Sequence, residues 1–350
     1  MIRLQSIIVT IVGCTAMAYG MGNYFEPMRY LYSQGSYIHQ LEANNKATVS
    51  KVAIPSKIAQ DGKQIITRRG ILVRYPNAKA TVVICHGFMC DKFDVGFVRQ
   101  LFPKGKYNFL SFDFRAHGED AKGQYCTFGR DEALDVKAAA DFVKNDPELK
   151  KLPVYVYGFS MGAVASIEAQ AKDPSLFQAM ILDCPFDTSE NVVKKALEDL
   201  KFSLFGYEFE MPGKQLIENY AFHPYVQEFV KFLLKTVAHM DAKNVQTYIY
   251  RFSPKESIKQ VAVPCMFIHC KKDKRVSVSA IQSIYEGARG PKWLWITNGR
   301  GHYDSIFYSP ERYAKRITSF FDQVMTGEIN KKYRESVKED LDEVPIKPKG

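Results

Sequence analysis

A serine flanked by glycines, Gly158-Phe159-Ser160-Met161-Gly162, is the segment of this chain best suited to chemistry. An apolar run of β type, residues 152–157, leads into it, and a helix-forming run, residues 163–171, leads out. A serine at such a strand-to-helix turn is presented at the end of a strand, beside the unpaired N–H groups that open the helix. The turn strains the serine backbone, and the glycines keep side chains out of the crowded positions around it. A glycine-flanked turn also has an ordinary structural reading, so the partners decide. A serine hydroxyl is a poor nucleophile at neutral pH. It needs a base for its proton, a carboxylate to orient that base, and donors for the oxyanion that develops.

The base candidate is His302, on the glycine-rich segment Asn298-Gly299-Arg300-Gly301-His302-Tyr303-Asp304, just past an apolar run at 293–296. Of the seven histidines, His39, His223 and His239 fall in helical or cap-like segments. His86 and His117 each precede a glycine in a tight turn, where a structural hydrogen bond is the better reading. His269 ends a strand beside the acid candidate. That candidate is Asp273, in Lys271-Lys272-Asp273-Lys274-Arg275. Asp183 is the runner-up acid, and Asp304 lies too close in sequence to His302 to orient it. The oxyanion donors are expected to be backbone N–H groups. One is Met161, at the start of the helix, and the other is Phe88, where Cys85-His86-Gly87-Phe88 turns sharply after a strand.

The elements that must position these residues alternate. Continuous apolar β-runs stand at 80–85 and 107–112, of the kind buried on both faces of a parallel sheet. Helical periodicity follows at 131–143, then the Ser160 strand and helix, then a strand at 179–182. Strands at 263–268 and 293–296 and a helix from about 310 to 325 close the series. Residues 46–75 alternate like two paired strands with Asp61-Gly62 as the turn. Strands alternating with helices imply an α/β fold with a mostly parallel sheet covered on both sides. In such a sheet, reactive groups gather on the loops at the C-terminal strand ends. Residues 186–258 interrupt the alternation. Helices are expected there, and 13 of its residues are Phe or Tyr.

Composition narrows the classes. The chain of 350 residues is 46% hydrophobic and 25% charged, an ordinary globular balance. Its 48 basic and 38 acidic residues give +10, most of it in residues 1–80, where ten Lys/Arg face three Asp/Glu. No basic run is interleaved with aromatics, so nucleic acid is not expected as a partner. No CxxC and no zinc spacing occurs among the seven cysteines, so neither metal nor cofactor is expected. Cys85, Cys184 and Cys265 sit in apolar runs as small hydrophobes. Cys90 and Cys126 are a candidate disulfide in an oxidising compartment. From Leu4 to Phe25 no charge occurs, which suggests a signal peptide or an uncleaved anchor over residues 1–25. Within it, Ile11-Val12-Gly13-Cys14 is like a lipidation box and Ala16-Met17-Ala18 like a cleavage site. A juxtamembrane helix is expected at 26–45 and a polar tail at 329–350. Membrane attachment or export is favoured over a cytoplasmic location.

Six pieces together resemble the α/β-hydrolases, in the broad group of serine aminopeptidase-like and monoacylglycerol-lipase-like enzymes with a helical cap. They are His86-Gly87-Phe88, Asp113-Phe114-Arg115-Ala116-His117-Gly118, Gly158 to Gly162, Asp183-Cys184-Pro185-Phe186, Asp273 and Gly301-His302, within residues 64–325. The resemblance implies an α/β-hydrolase core at 46–185 and 259–328 with a cap inserted at 186–258. It also implies Ser160 as nucleophile, His302 as base, Asp273 as orienting acid, and Phe88 and Met161 as oxyanion donors. The order Ser160, Asp273, His302 suits this architecture. The Asp113–Gly118 turn is structural in such proteins. Many relatives carry a small residue other than cysteine at position 184, a departure expected to touch packing and not the triad. The cap varies most in the group, so the substrate does not carry over. The N-terminal stretch is similar to the anchor of some bacterial members. The leading expectation is a metal-independent esterase or lipase-like serine hydrolase acting on a small ester with an apolar group. An aminopeptidase-like peptidase and a non-catalytic hydrolase-fold binding protein are the alternatives.

Overall fold

A computed structural model describes residues 47–59, 62–121, 123–198, 201–204, 207–210, 220–227 and 246–329. The expected signal or anchor segment, juxtamembrane helix and most of the polar tail lie outside the described residues. Among the described residues no helix is long and apolar enough to cross a membrane.

The strands are β1 (Thr48–Lys57), β2 (Ile65–Arg74), β3 (Ala80–Cys85), β4 (Tyr107–Phe112), β5 (Tyr125–Cys126), β6 (Val154–Phe159), β7 (Ala179–Asp183), β8 (Lys201–Leu204), β9 (Tyr207–Glu210), β10 (Gln246–Thr247), β11 (Cys265–Cys270) and β12 (Lys292–Thr297). The principal helices are α1 (Glu132–Asn145), α2 (Met161–Lys172), α3 (Ser189–Glu198), α4 (Val278–Gly287), α5 (Asp304–Tyr308) and α6 (Pro310–Thr326). Eight strands form one sheet in the order β1-β2-β4-β3-β6-β7-β11-β12. β1 and β2 pair antiparallel, as does β2 with β4, and every pairing from β4 through β12 is parallel. This is the expected α/β fold with a mostly parallel sheet.

The apolar runs are continuous because both faces of the sheet are covered. In β3, Val83 and Cys85 join a core with α1 and α2 side chains such as Val136, Val164 and Ile167. Val82 and Ile84 point the other way, into a core with Tyr313, Ile317 and Phe321 of α6. Successive side chains of a strand alternate faces, so a six-residue run feeds both cores.

Two strand starts differ from the sequence expectation for the same reason. The run at 152–157 begins pairing only at Val154, and the run at 263–268 only at Cys265. Pro153 and Pro264 have no N–H to give to a ladder, and their carbonyls accept from Thr81 (2.9 Å) and Met180 (3.0 Å) instead. The stretch between β7 and β11 contributes α3, the antiparallel β8–β9 pair, and β10, which pairs parallel with β5. Cys90 and Cys126 are both buried and are not bridged to one another, so the candidate disulfide does not form. Cys126 instead packs its sulfur 3.5 Å from the Met161 thioether.

Candidate active site

Ser160 stands between β6 and α2 with φ 44° and ψ −111°, a strained conformation for any residue with a side chain. Three contacts fix it. Its N–H donates to the Asp183 carbonyl at 2.7 Å, off the end of the neighbouring strand β7. A Cβ on Gly158 would stand 2.7 Å from the Ala163 backbone. A Cβ on Gly162 would stand 2.3 Å from the Cys85 carbonyl oxygen. Both glycines are therefore obligatory, because backbone cannot retreat as a side chain can. The close approach of α2 to β3 brings the helix N-terminus, with its partial positive charge and unpaired N–H groups, to the serine.

The oxyanion candidates lie on either side. The Met161 and Phe88 N–H groups make no hydrogen bond among the described residues. Phe88 sits on the loop after β3, and two histidines shape that loop. The His86 Nδ1–H donates to the Gly87 carbonyl at 2.7 Å, and its Nε2 accepts from the Phe114 N–H at 3.0 Å. The His117 Nδ1–H donates to the Arg115 carbonyl at 2.8 Å, and its Nε2 accepts from the Met89 N–H at 3.1 Å. A carbonyl on one ring nitrogen and an N–H on the other admit only the neutral imidazole. Burial agrees: it holds His86 well below the usual range, with His117 beside it adding to the effect, and it lowers His117 to about 4. These two histidines are structural, as their His-Gly turns suggested.

Across the serine, β11 and β12 deliver the other two residues. The Asp273 side chain is fully buried on the loop after β11. Its Oδ1 accepts from the Arg275 N–H (2.8 Å) and the Val276 N–H (3.1 Å). Its Oδ2 accepts from the His302 Nδ1–H at 2.6 Å. Burial opposes the Asp273 charge, but His302, His269 and the Val276 N–H outweigh it, and the carboxyl is held below its usual range. The loop from Asn298 to Tyr303 places His302 between β12 and α5. Its Nε2 is buried and has no hydrogen-bond partner among the described residues.

The rival acids have other tasks. Asp183 Oδ2 accepts from the Tyr313 hydroxyl (2.6 Å), and Oδ1 from the Cys184 thiol (3.0 Å). Burial raises its carboxyl to about 6, against those two donors. Asp304 accepts from the Arg300 backbone N–H at 2.6 Å and its Nε at 3.2 Å. His269 bonds the Val276 carbonyl through Nε2 at 3.0 Å. The structure thus brings His302 together with Asp273 and not with Asp183 or Asp304.

Sequence reasoning placed Cys184 outside the site. The structure sets its sulfur, an Asp273 carboxylate oxygen and a His302 ring nitrogen within 4.8 Å of one another. The position follows a positive φ of 54° directly after β7, a bend that no apolar-run argument reveals. These three donors are the kind that hold metal ions. Here His302 and Asp273 already bond each other, and the thiol already donates to Asp183.

A family model described as the alpha/beta hydrolase family matches residues 82–316. An uncharacterized Bacillus subtilis protein, YqkD, is 28% identical over 247 residues, which span 70% of this chain and 72% of that one. Among solved structures, an esterase from Pyrococcus furiosus superposes with a TM-score of 0.58 at 21% identity, covering 81% of this chain and 95% of its own. An acylaminoacyl peptidase from Pyrococcus horikoshii superposes with a TM-score of 0.52 at 17% identity, covering 83% of this chain and 44% of its own. At these identities the two structures bear on the fold alone.

Proposed function

This chain belongs to the alpha/beta hydrolase family, and on that premise we propose that it is a serine hydrolase that cleaves carboxylic esters through Ser160, His302 and Asp273. One observation carries the reading. The His302 Nδ1–H is bonded to a buried carboxylate at 2.6 Å while its other nitrogen is left unbonded. An imidazole held this way is a base in waiting.

Ser160 Oγ attacks the ester carbonyl carbon and its proton passes to His302 Nε2. Asp273 fixes the tautomer that leaves Nε2 bare and stabilises the imidazolium that forms. The Phe88 and Met161 N–H groups donate to the oxyanion, where preorganised donors act most strongly. The tetrahedral intermediate collapses, the alcohol leaves with the proton from His302, and an acyl group remains on Ser160. Water, deprotonated by the same imidazole, then releases the acid. No metal or cofactor enters these steps.

Esters with an apolar acyl group are favoured by the aromatic surroundings. Phe88 packs on Phe128 at 4.8 Å between ring centres, and Phe186 on Phe252 at 6.0 Å. The richness of residues 186–258 in phenylalanine and tyrosine supports the same preference. The test is turnover of p-nitrophenyl esters against amino-acyl anilides. The esters should be the better substrates, and Ser160→Ala should lose on the order of 10⁴-fold or more in kcat. Equal turnover by Ser160→Ala would sink the assignment, and a preference for anilides would turn it toward a peptidase. The uncharged stretch from Leu4 to Phe25 supports membrane attachment or export. Intact-mass measurement of membrane and soluble fractions tests that, and an unprocessed soluble species would contradict it.

A further inference from the structure

Tyr303 directly follows the base and is 3% exposed. Its φ of 65° lies in the left-handed region, where a residue with a side chain is strained. Its ring packs against Phe159, which precedes Ser160, at 5.2 Å between centroids, and against His302 at 4.4 Å. The ring therefore lies against both the residue that precedes the proposed nucleophile and the proposed base. Its hydroxyl is buried, and no group among the described residues meets it with full hydrogen-bond geometry. Ser160 is the side chain within its hydrogen-bonding reach, and Cys90, Cys184 and Asp183 lie near enough to act on its charge. Tyr313, also fully buried nearby, shows the contrast, because its hydroxyl is bonded to Asp183 at 2.6 Å. A buried hydroxyl without a partner lowers stability, and a phenylalanine would fill the same space without that penalty.

We propose that the Tyr303 hydroxyl donates a hydrogen bond to Ser160 Oγ as the serine reacts, an inference that rests on the serine-hydrolase reading above. In acylation the Ser160 proton moves to His302 Nε2, the Oγ–H bond breaks, and the electron pair left on Oγ forms the bond to the carbonyl carbon. Tyr303 keeps its own proton throughout. In deacylation the bond between the acyl carbon and Oγ breaks, and Oγ takes back a proton from His302. In both steps negative charge grows on Oγ, so the phenol donates most strongly in the transition states. The ester oxygen of the acyl-enzyme is a weaker acceptor, so that intermediate is not stabilised to match. Burial, reinforced by Cys90, pushes the Tyr303 phenol well above its usual range, against the pull of Ser160. It is therefore a donor and not a base.

Tyr303→Phe tests this, with kcat, KM, the rate of fluorophosphonate labelling and Tm measured together. The expected result is a fall of about tenfold or more in kcat and in labelling rate. KM should stay within about twofold, and Tm should hold or rise. Unchanged kcat and labelling would overturn the proposal. So would a lower Tm or failure to fold, because either would mean that the hydroxyl serves the structure. A wild-type protein that takes no fluorophosphonate label and turns over neither esters nor anilides would instead remove the serine-hydrolase reading beneath it.

Discussion

His117 and His302 are both imidazoles buried on loops of this sheet, and they differ in how the protein uses their nitrogens. His117 spends both, one on the Arg115 carbonyl and one on the Met89 N–H. His302 spends one on Asp273 and keeps the other bare. The carboxylates divide in the same way. Asp183 accepts from a tyrosine and a cysteine, while Asp273 is held by two backbone N–H groups and turns its second oxygen to a histidine. The same residue types thus make fully bonded pairs at His117 and Asp183 and, at His302 and Asp273, the pair to which the proposed mechanism gives the proton. Burial is common to both, so burial does not mark a reactive group. His269 also keeps a bare nitrogen, but its ring is tied to the Val276 carbonyl, whereas the bare nitrogen of His302 belongs to a ring held by a buried carboxylate.

Four substitutions can break or sharpen that division. His302→Ala should have the largest effect, lowering kcat/KM about 10⁴-fold or more with little change in Tm. Asp273→Asn should come next, at roughly 10³–10⁴-fold, because an amide no longer selects the reactive tautomer. His117→Phe should do the opposite of both. It leaves the Met89 N–H and the Arg115 carbonyl unpaired, so denaturant melts should show a loss of about 1–3 kcal/mol. Its activity should fall only about tenfold, through displacement of the Phe88 donor. If His117→Phe cost as much activity as His302→Ala without loss of stability, the division would be wrong.

The smallest effect on turnover is expected at Asp183, where the change is in the pH dependence of stability. Its folded pKa of about 6 lies above the ordinary 3.8, so the folded state binds more protons than the unfolded state between those values. Its contribution is full below the unfolded pKa and is lost as pH rises through about 6. Asparagine does not titrate. Melts at pH 4 and pH 8 should therefore show Asp183→Asn gaining on the wild type as pH rises, by about 3 kcal/mol or less. A difference that stays flat with pH would contradict the assignment of that buried charge.

Much of this was legible in the sequence because the constraints are local. Gly158 and Gly162 betray the turn, since a Cβ at either would stand 2.3–2.7 Å from neighbouring backbone, which admits no other residue. β3 and β4 were read to their end residues, because a strand covered on both faces leaves an unbroken apolar run. His302 and Asp273 followed from their place just past such runs. What escaped depends on contacts distant in sequence. The β5–β10 pair joins two-residue strands too short for any periodicity. Cys184 looked like packing because the bend that turns its sulfur toward Asp273 leaves no mark in composition. Tyr303 passed as one more aromatic, because an unpaired hydroxyl can be recognised only once its surroundings are known.

The most direct measurement is site mapping after fluorophosphonate labelling, by tandem mass spectrometry of the digested protein. One adduct per chain is expected, on Ser160, formed far more slowly in His302→Ala and absent in Ser160→Ala. A protein that takes no label, or carries it on another residue, would contradict it.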